Sequence, residues 1–169
     1  MKMPKELISL AGEYAVASEL CRRGVYAQLT LGHHKRTDLL VESEYQFIRI
    51  QVKAKQGTEW PSISGIYTSD DFLVLVDFAV GEGSQPDYYV LNLEDWKNLI
   101  QLEKERRPQV QVDEKLTIRY PDGWKGLNIR PAMVSQYKEC WKKIIEKMGL
   151  TRASSQPGEA GRLKRNISK

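Results

Sequence analysis

The chain has 169 residues, 41% of them apolar, enough for one domain with a buried core, and no apolar run reaches membrane-spanning length. Twenty-six basic residues against 22 acidic ones give a net charge of +4, but the tail from Thr151 to Lys169 holds five of the basic residues against Glu159 alone. Residues 1–150 are therefore neutral overall, which excludes a domain held to a polyanion by bulk charge and requires locally gathered cations instead.

The first predicted element is an amphipathic helix from Leu7 to Gly24. Leu7, Leu10, Ala11, Tyr14, Ala17, Ser18 and Cys21 recur at spacings of three and four, and Gly24 follows two arginines as a stop signal. On the helical wheel Glu13 falls between Ala17 and Leu20, so it is either a boundary residue or a carboxylate aimed at something. The polar loop Leu31-Gly32-His33-His34-Lys35-Arg36 follows; its histidines have no spaced partner to complete a zinc set, and His34 is retained as a phosphate or base contact.

Two strand segments come next, Thr37 to Val41 and Ile48 to Lys53, joined by the short link Ser43 to Gln46 that predicts an antiparallel hairpin. Pairing Glu42 with Phe47 sets Leu39 opposite Ile50 and Val41 opposite Ile48, one apolar face. The same register sets Asp38 opposite Gln51, with Lys53 on their shared face, and a slip by one residue would scatter the apolar set.

The stretch Gly57 to Gly65 reads as a long irregular connection, with Trp60 and then Tyr67 as aromatics that stack on bases or cap the core. Phe72 to Phe78 reads as a strand buried on both faces, and Tyr88 to Leu93 as its neighbour beyond a turn-rich link. A helix starts at Glu94-Asp95, turns Trp96, Leu99 and Ile100 to the sheet, and ends at Pro108 after Lys104, Arg106 and Arg107. Leu116 to Tyr120 predicts a short strand. Met133, Val134, Tyr137, Trp141, Ile144, Ile145 and Met148 trace a helical stripe from Pro131 to Gly149, a core face by default and otherwise the face of a homodimer. Cys21 and Cys140 lie in helix patterns without metal-ligand spacing and are expected as buried, reduced thiols. No apolar signal core follows the N-terminal lysines, so a cytoplasmic protein with no membrane partner is expected. Residues 1–150 are expected as a single domain and 151–169 as a flexible basic tail.

An acid, a carbonyl-bearing amide and an ammonium on one strand face suit phosphate-ester hydrolysis. Asp38 would ligate Mg2+, the Gln51 carbonyl would be a second oxygen ligand, and Lys53 would hold the attacking water or neutralise developing charge. Lys35, Arg36 and Lys55, with His34, lie close to this point in sequence and are the candidate nucleic-acid contacts.

With Asp38 on one strand and Gln51-Val52-Lys53 on the next, the chain resembles the PD-(D/E)XK nuclease superfamily in a Q-x-K variant, with Thr37 where the motif has proline. Gly12-Glu13-Tyr14-Ala15-Val16-Ala17 is similar to the first helix of junction-resolvase-type members, which implies that Glu13 joins the metal cluster. The resemblance covers about Leu7 to Val80. It implies an α/β, restriction-endonuclease-like mixed sheet core flanked by helices, in the order helix, strand Val25 to Leu31, then the strands at Asp38 to Glu42, Gln46 to Lys55 and Phe72 to Phe78. The expected function is an Mg2+- or Mn2+-dependent endonuclease acting on DNA, or alternatively RNA, with Glu13, Asp38, Gln51 and Lys53 as catalytic residues and the first three as metal ligands. The alternative is a catalytically inactive nuclease-fold module that binds nucleic acid or a protein, because an amide at position 51 removes one negative charge from the cluster.

Overall fold

A computed structural model describes residues 3–30, 37–43, 46–79 and 83–150. The loop carrying His34, Lys35 and Arg36 and the tail 151–169 therefore lie outside the described residues.

The architecture is mixed α/β, with a five-stranded mixed sheet flanked by helices. Helix α1 (Lys5–Arg22) leads into β1 (Ala27–Leu29), β2 (Leu39–Glu42), β3 (Phe47–Lys55), β4 (Trp60–Ile63), β5 (Asp71–Asp77) and β6 (Asp87–Leu91). Helix α2 (Leu93–Arg106) and the short strands β7 (Gln111–Val112), β8 (Ile118–Arg119) and β9 (Leu127–Ile129) precede a C-terminal segment of short helical pieces. The main sheet runs β1-β2-β3-β5-β6, antiparallel throughout except that β3 and β5 are parallel.

The β2–β3 register is the one the apolar pattern predicts: Glu42 pairs with Phe47, Val41 with Ile48 and Leu39 with Ile50. Strand β5 is buried along its whole length. Phe72, Val74 and Val76 enter the core beneath α1, and Leu73 and Leu75 enter the core beneath α2, so one strand serves both layers. Helix α2 begins at Leu93, one residue before the predicted start, on a capping box in which Asn92 Oδ1 accepts from the Asp95 amide and Asp95 Oδ2 from the Asn92 amide.

Three expectations are corrected. In α1 the buried residues are Gly12, Val16, Ala17, Glu19 and Leu20, while Leu7, Leu10 and Tyr14 are exposed. The helix carries apolar residues on more than one face, and the face that docks is the one whose smallest residue lets it settle on β3: a Cβ on Gly12 would lie 2.6 Å from that of Ala54. Cys21, on the outer side, is exposed rather than buried.

The stripe from Pro131 to Gly149 is not one helix. It divides into α3 (Pro131–Val134), a 3-10 turn (Ser135–Tyr137) and α4 (Lys142–Lys147). Between them the backbone pairs with β6: Lys138 bridges Tyr89, and the Glu139 amide donates to the Tyr88 carbonyl at 2.8 Å. Glu139 takes a φ of 55° to make the turn. The break lets Val134 and Tyr137 pack beneath α2 while Trp141, Ile144 and Met148 pack beneath α1. Those side chains are thus spent on the core of one chain.

The connection after β3 also holds more order than its composition predicts, because Trp60 to Ile63 forms a two-stranded ribbon with β9. Pro61 and the φ of 54° at Ser62 hide that strand from any alternation pattern. Among the described residues no helix is long and apolar enough to cross a membrane.

Candidate active site

Strand β3 outruns its neighbour. The last β2–β3 pair is Leu39 with Ile50, after which the Asp38 amide still donates to the Ile50 carbonyl at 2.9 Å and the chain leaves the sheet. The next inward-facing amide on β3, that of Val52, has lost its backbone acceptor. The Asp38 side chain replaces it: Oδ2 accepts from the Val52 amide at 2.6 Å. The carboxylate is thereby locked over the vacated edge of β3, and Lys53 Nζ lies 3.8 Å from the same oxygen.

Gln51 follows the last β2–β3 pair and lies beside Leu73 of β5. Its side chain is buried, and its Oε1 is the described buried side-chain oxygen with no hydrogen-bond partner. A buried carbonyl oxygen without a donor is costly unless something electropositive completes it.

Glu13 arrives from the other layer. The close approach of Gly12 to Ala54 and Val52 brings α1 against the stretch of β3 that β2 has left bare. The Glu13 carboxyl is half-buried and is held above the usual carboxylate range, first by burial and then by the Asp38 charge, with Lys53 opposing. The two carboxylates and the lysine therefore act on one another electrostatically. Among the described residues no group of three His, Cys, Asp or Glu side chains is placed to hold a metal; the Gln51 amide oxygen, two residues before Lys53 on β3, is the further oxygen donor that this strand carries.

These donors fit a hard divalent cation. Two carboxylates in mutual repulsion and an amide oxygen lacking a donor are each relieved by an oxygen-seeking dication.

The other predicted contacts fare differently. Lys55 turns inward, 6% exposed, with Nζ 2.6 Å from Asp77 Oδ2, donating to the Gly57 carbonyl at 2.8 Å and lying 4.6 Å above the Trp60 ring. It is a buried ion pair rather than a surface phosphate contact, because parallel pairing sets Asp77 directly beside it. The signal was present in the sequence as the acid closing the otherwise apolar run Phe72 to Phe78. Arg22 and Arg23 are engaged by Glu19, and Arg49 by Asp71 and Thr68. Trp60 is also internal, its Nε1 donating to the Val76 carbonyl at 3.1 Å.

No protein-family model and no curated protein matches the chain. Among solved structures the chain is similar to the bacterial homing endonuclease I-Ssp6803I, at 16% identity and a TM-score of 0.49, with 86% of this chain and 96% of that chain covered.

Proposed function

We propose that the protein is a metal-dependent nuclease of the PD-(D/E)XK type that hydrolyses phosphodiester bonds, with DNA as substrate. The observation that supports the reading is the Asp38–Lys53 pair with Glu13 under the influence of both, on the strand that also carries the partnerless Gln51 carbonyl. Glu13, Asp38 and Gln51 Oε1 would hold Mg2+ or Mn2+, which when bound supplies Lewis-acid polarisation of the phosphate and a more acidic water. Asp38 is held in place by the Val52 amide, so it is preorganised rather than recruited. Lys53, 39% exposed at its side chain, is free to face solvent and orient the attacking water or balance charge that develops on the phosphate. His34, Lys35 and Arg36 remain proposed backbone contacts on the loop that precedes Asp38.

The test is incubation of the purified protein with supercoiled, linear, single-stranded and branched DNA across Mg2+ and Mn2+. Metal-dependent cleavage that is lost in Asp38→Ala and Lys53→Ala supports the reading; equal cleavage by both variants and the parent overturns it.

A second reading is favoured by one observation: among the described residues no third carboxylate joins Glu13 and Asp38, and the further oxygen donor on β3 is a neutral amide. The same fold would then bind nucleic acid or a protein without cleaving. Calorimetric titration separates the two, since absence of binding at millimolar Mg2+ and Mn2+ selects the non-catalytic module.

A further inference from the structure

Away from the Asp38 site, a cavity of about 560 Å3 lies between the last turn of α2, the loop joining β8 to β9 and the β4–β9 ribbon. Its volume falls in the range of small-ligand sites. The lining combines an exposed indole with three guanidinium groups: Trp124, Arg106, Arg107 and Arg130.

The cavity's acids are already engaged. Glu103 is buried, accepts from the Tyr120 hydroxyl at 3.0 Å and lies 3.4 Å from Arg107 Nε. Glu59 lies 3.3 Å from Arg130 Nε, and Asp122 accepts from the Trp124 amide at 3.0 Å. Both arginines meet their acids through Nε. Arg107 also lies 5.4 Å above the Tyr120 ring, and among the described residues Arg106 has no ion pair. A planar guanidinium suits the bidentate geometry of a phosphate.

The indole is presented on a pinned loop. The Trp124 carbonyl accepts from the Tyr120 amide at 2.9 Å, and the Gly123 amide donates to the Tyr120 carbonyl at 3.0 Å. Gly126, at a φ of +85°, abuts the Ser62 backbone so closely that a Cβ there would sit 2.5 Å from its carbonyl carbon. Trp60, Trp96 and Trp141 are at most 2% exposed, whereas Trp124 is 48% exposed. An exposed aromatic on a hydrogen-bonded loop, beside three guanidinium groups of which Arg106 has no ion pair among the described residues, is the combination that stacks a base and grips its phosphate.

We propose that this cavity is a nucleotide site, taking an unpaired base against Trp124 and its phosphate on Arg106, Arg107 and Arg130. As a contact to a substrate strand it rests on the nuclease reading; as a site for a free nucleotide it stands without it. The full-length protein is titrated in EDTA with a labelled single-stranded oligothymidylate and, separately, with deoxyadenosine monophosphate, following tryptophan emission and oligonucleotide anisotropy. Binding is expected to quench the exposed indole. Trp124→Ala and Arg130→Ala should each weaken it about tenfold, the scale of one stacked base, while Trp124→Phe largely retains anisotropy-detected binding. Quenching by the strand alone identifies a strand contact, and quenching by the mononucleotide identifies a free-nucleotide site. Unchanged affinities for both probes in Trp124→Ala and Arg130→Ala, with both variants folded by circular dichroism, overturn the proposal. Asp38→Ala should lose cleavage yet keep mononucleotide quenching, so failure of this site and failure of the nuclease reading are told apart.

Discussion

Asp38 accepts the Val52 amide hydrogen bond at 2.6 Å and so finishes a ladder that the β2 backbone abandons. The residue that would bind metal is thus also a structural cap on β3. Asp38→Ala should therefore do two things, abolishing cleavage and destabilising the fold by about 1–3 kcal/mol through an unpaired amide. Asp38→Asn keeps an acceptor and should restore most of the stability without restoring cleavage. Urea denaturation beside a cleavage assay checks both halves.

Glu13 titrates above its ordinary range because folding buries it and sets it near Asp38. With its folded pKa raised, the native state holds a proton that the unfolded chain has already released. Its favourable contribution is complete below the unfolded value and is lost as pH rises through the folded one. Glu13→Gln should accordingly stabilise the metal-free protein at pH 7 relative to its effect at pH 4. Mg2+ should raise the melting temperature of the parent and not of the variant, which thermal denaturation at the two pH values would show.

Gln51 separates metal affinity from apo stability. Gln51→Glu adds a third carboxylate and should tighten Mn2+ binding while lowering metal-free stability, since three like charges then share the site. Gln51→Leu removes the partnerless oxygen and should stabilise the metal-free fold by about 1–2 kcal/mol while losing metal binding. Isothermal titration calorimetry and denaturant midpoints give the two readouts.

Gly12 sets the reach of Glu13. Gly12→Ala forces a Cβ to 2.6 Å from Ala54 and should lift α1 from β3, costing about 1–3 kcal/mol and reducing cleavage by moving Glu13. The pair Gly12→Ala with Ala54→Gly should recover both. A double-mutant cycle on stability and cleavage rate measures the coupling.

What could be read from residues alone follows from how local the cause was. The β2–β3 register was legible because alternation and a short link leave one pairing that buries Leu39, Val41, Ile48 and Ile50 together. The inward Trp96, Leu99 and Ile100 of α2 were legible from their helical spacing. The docking face of α1 was not, because its choice depends on Gly12 meeting Ala54 some forty residues away. Lys55 was misread because its partner Asp77 is brought alongside only by parallel pairing. The β4–β9 ribbon and the Trp124 cavity were invisible for want of any periodic signal in segments of two to four residues.

The divided C-terminal segment has a consequence for how the molecule comes to exist. Trp141, Ile144 and Met148 complete one core and Val134 and Tyr137 the other, with the backbone clasped to β6 between them. During synthesis the layer beneath α2 cannot close before Tyr137 is made, nor the layer beneath α1 before Met148, so the earlier strands wait with apolar faces uncovered. A fragment ending before Pro131 lacks all five of these side chains and should therefore aggregate through both uncovered layers.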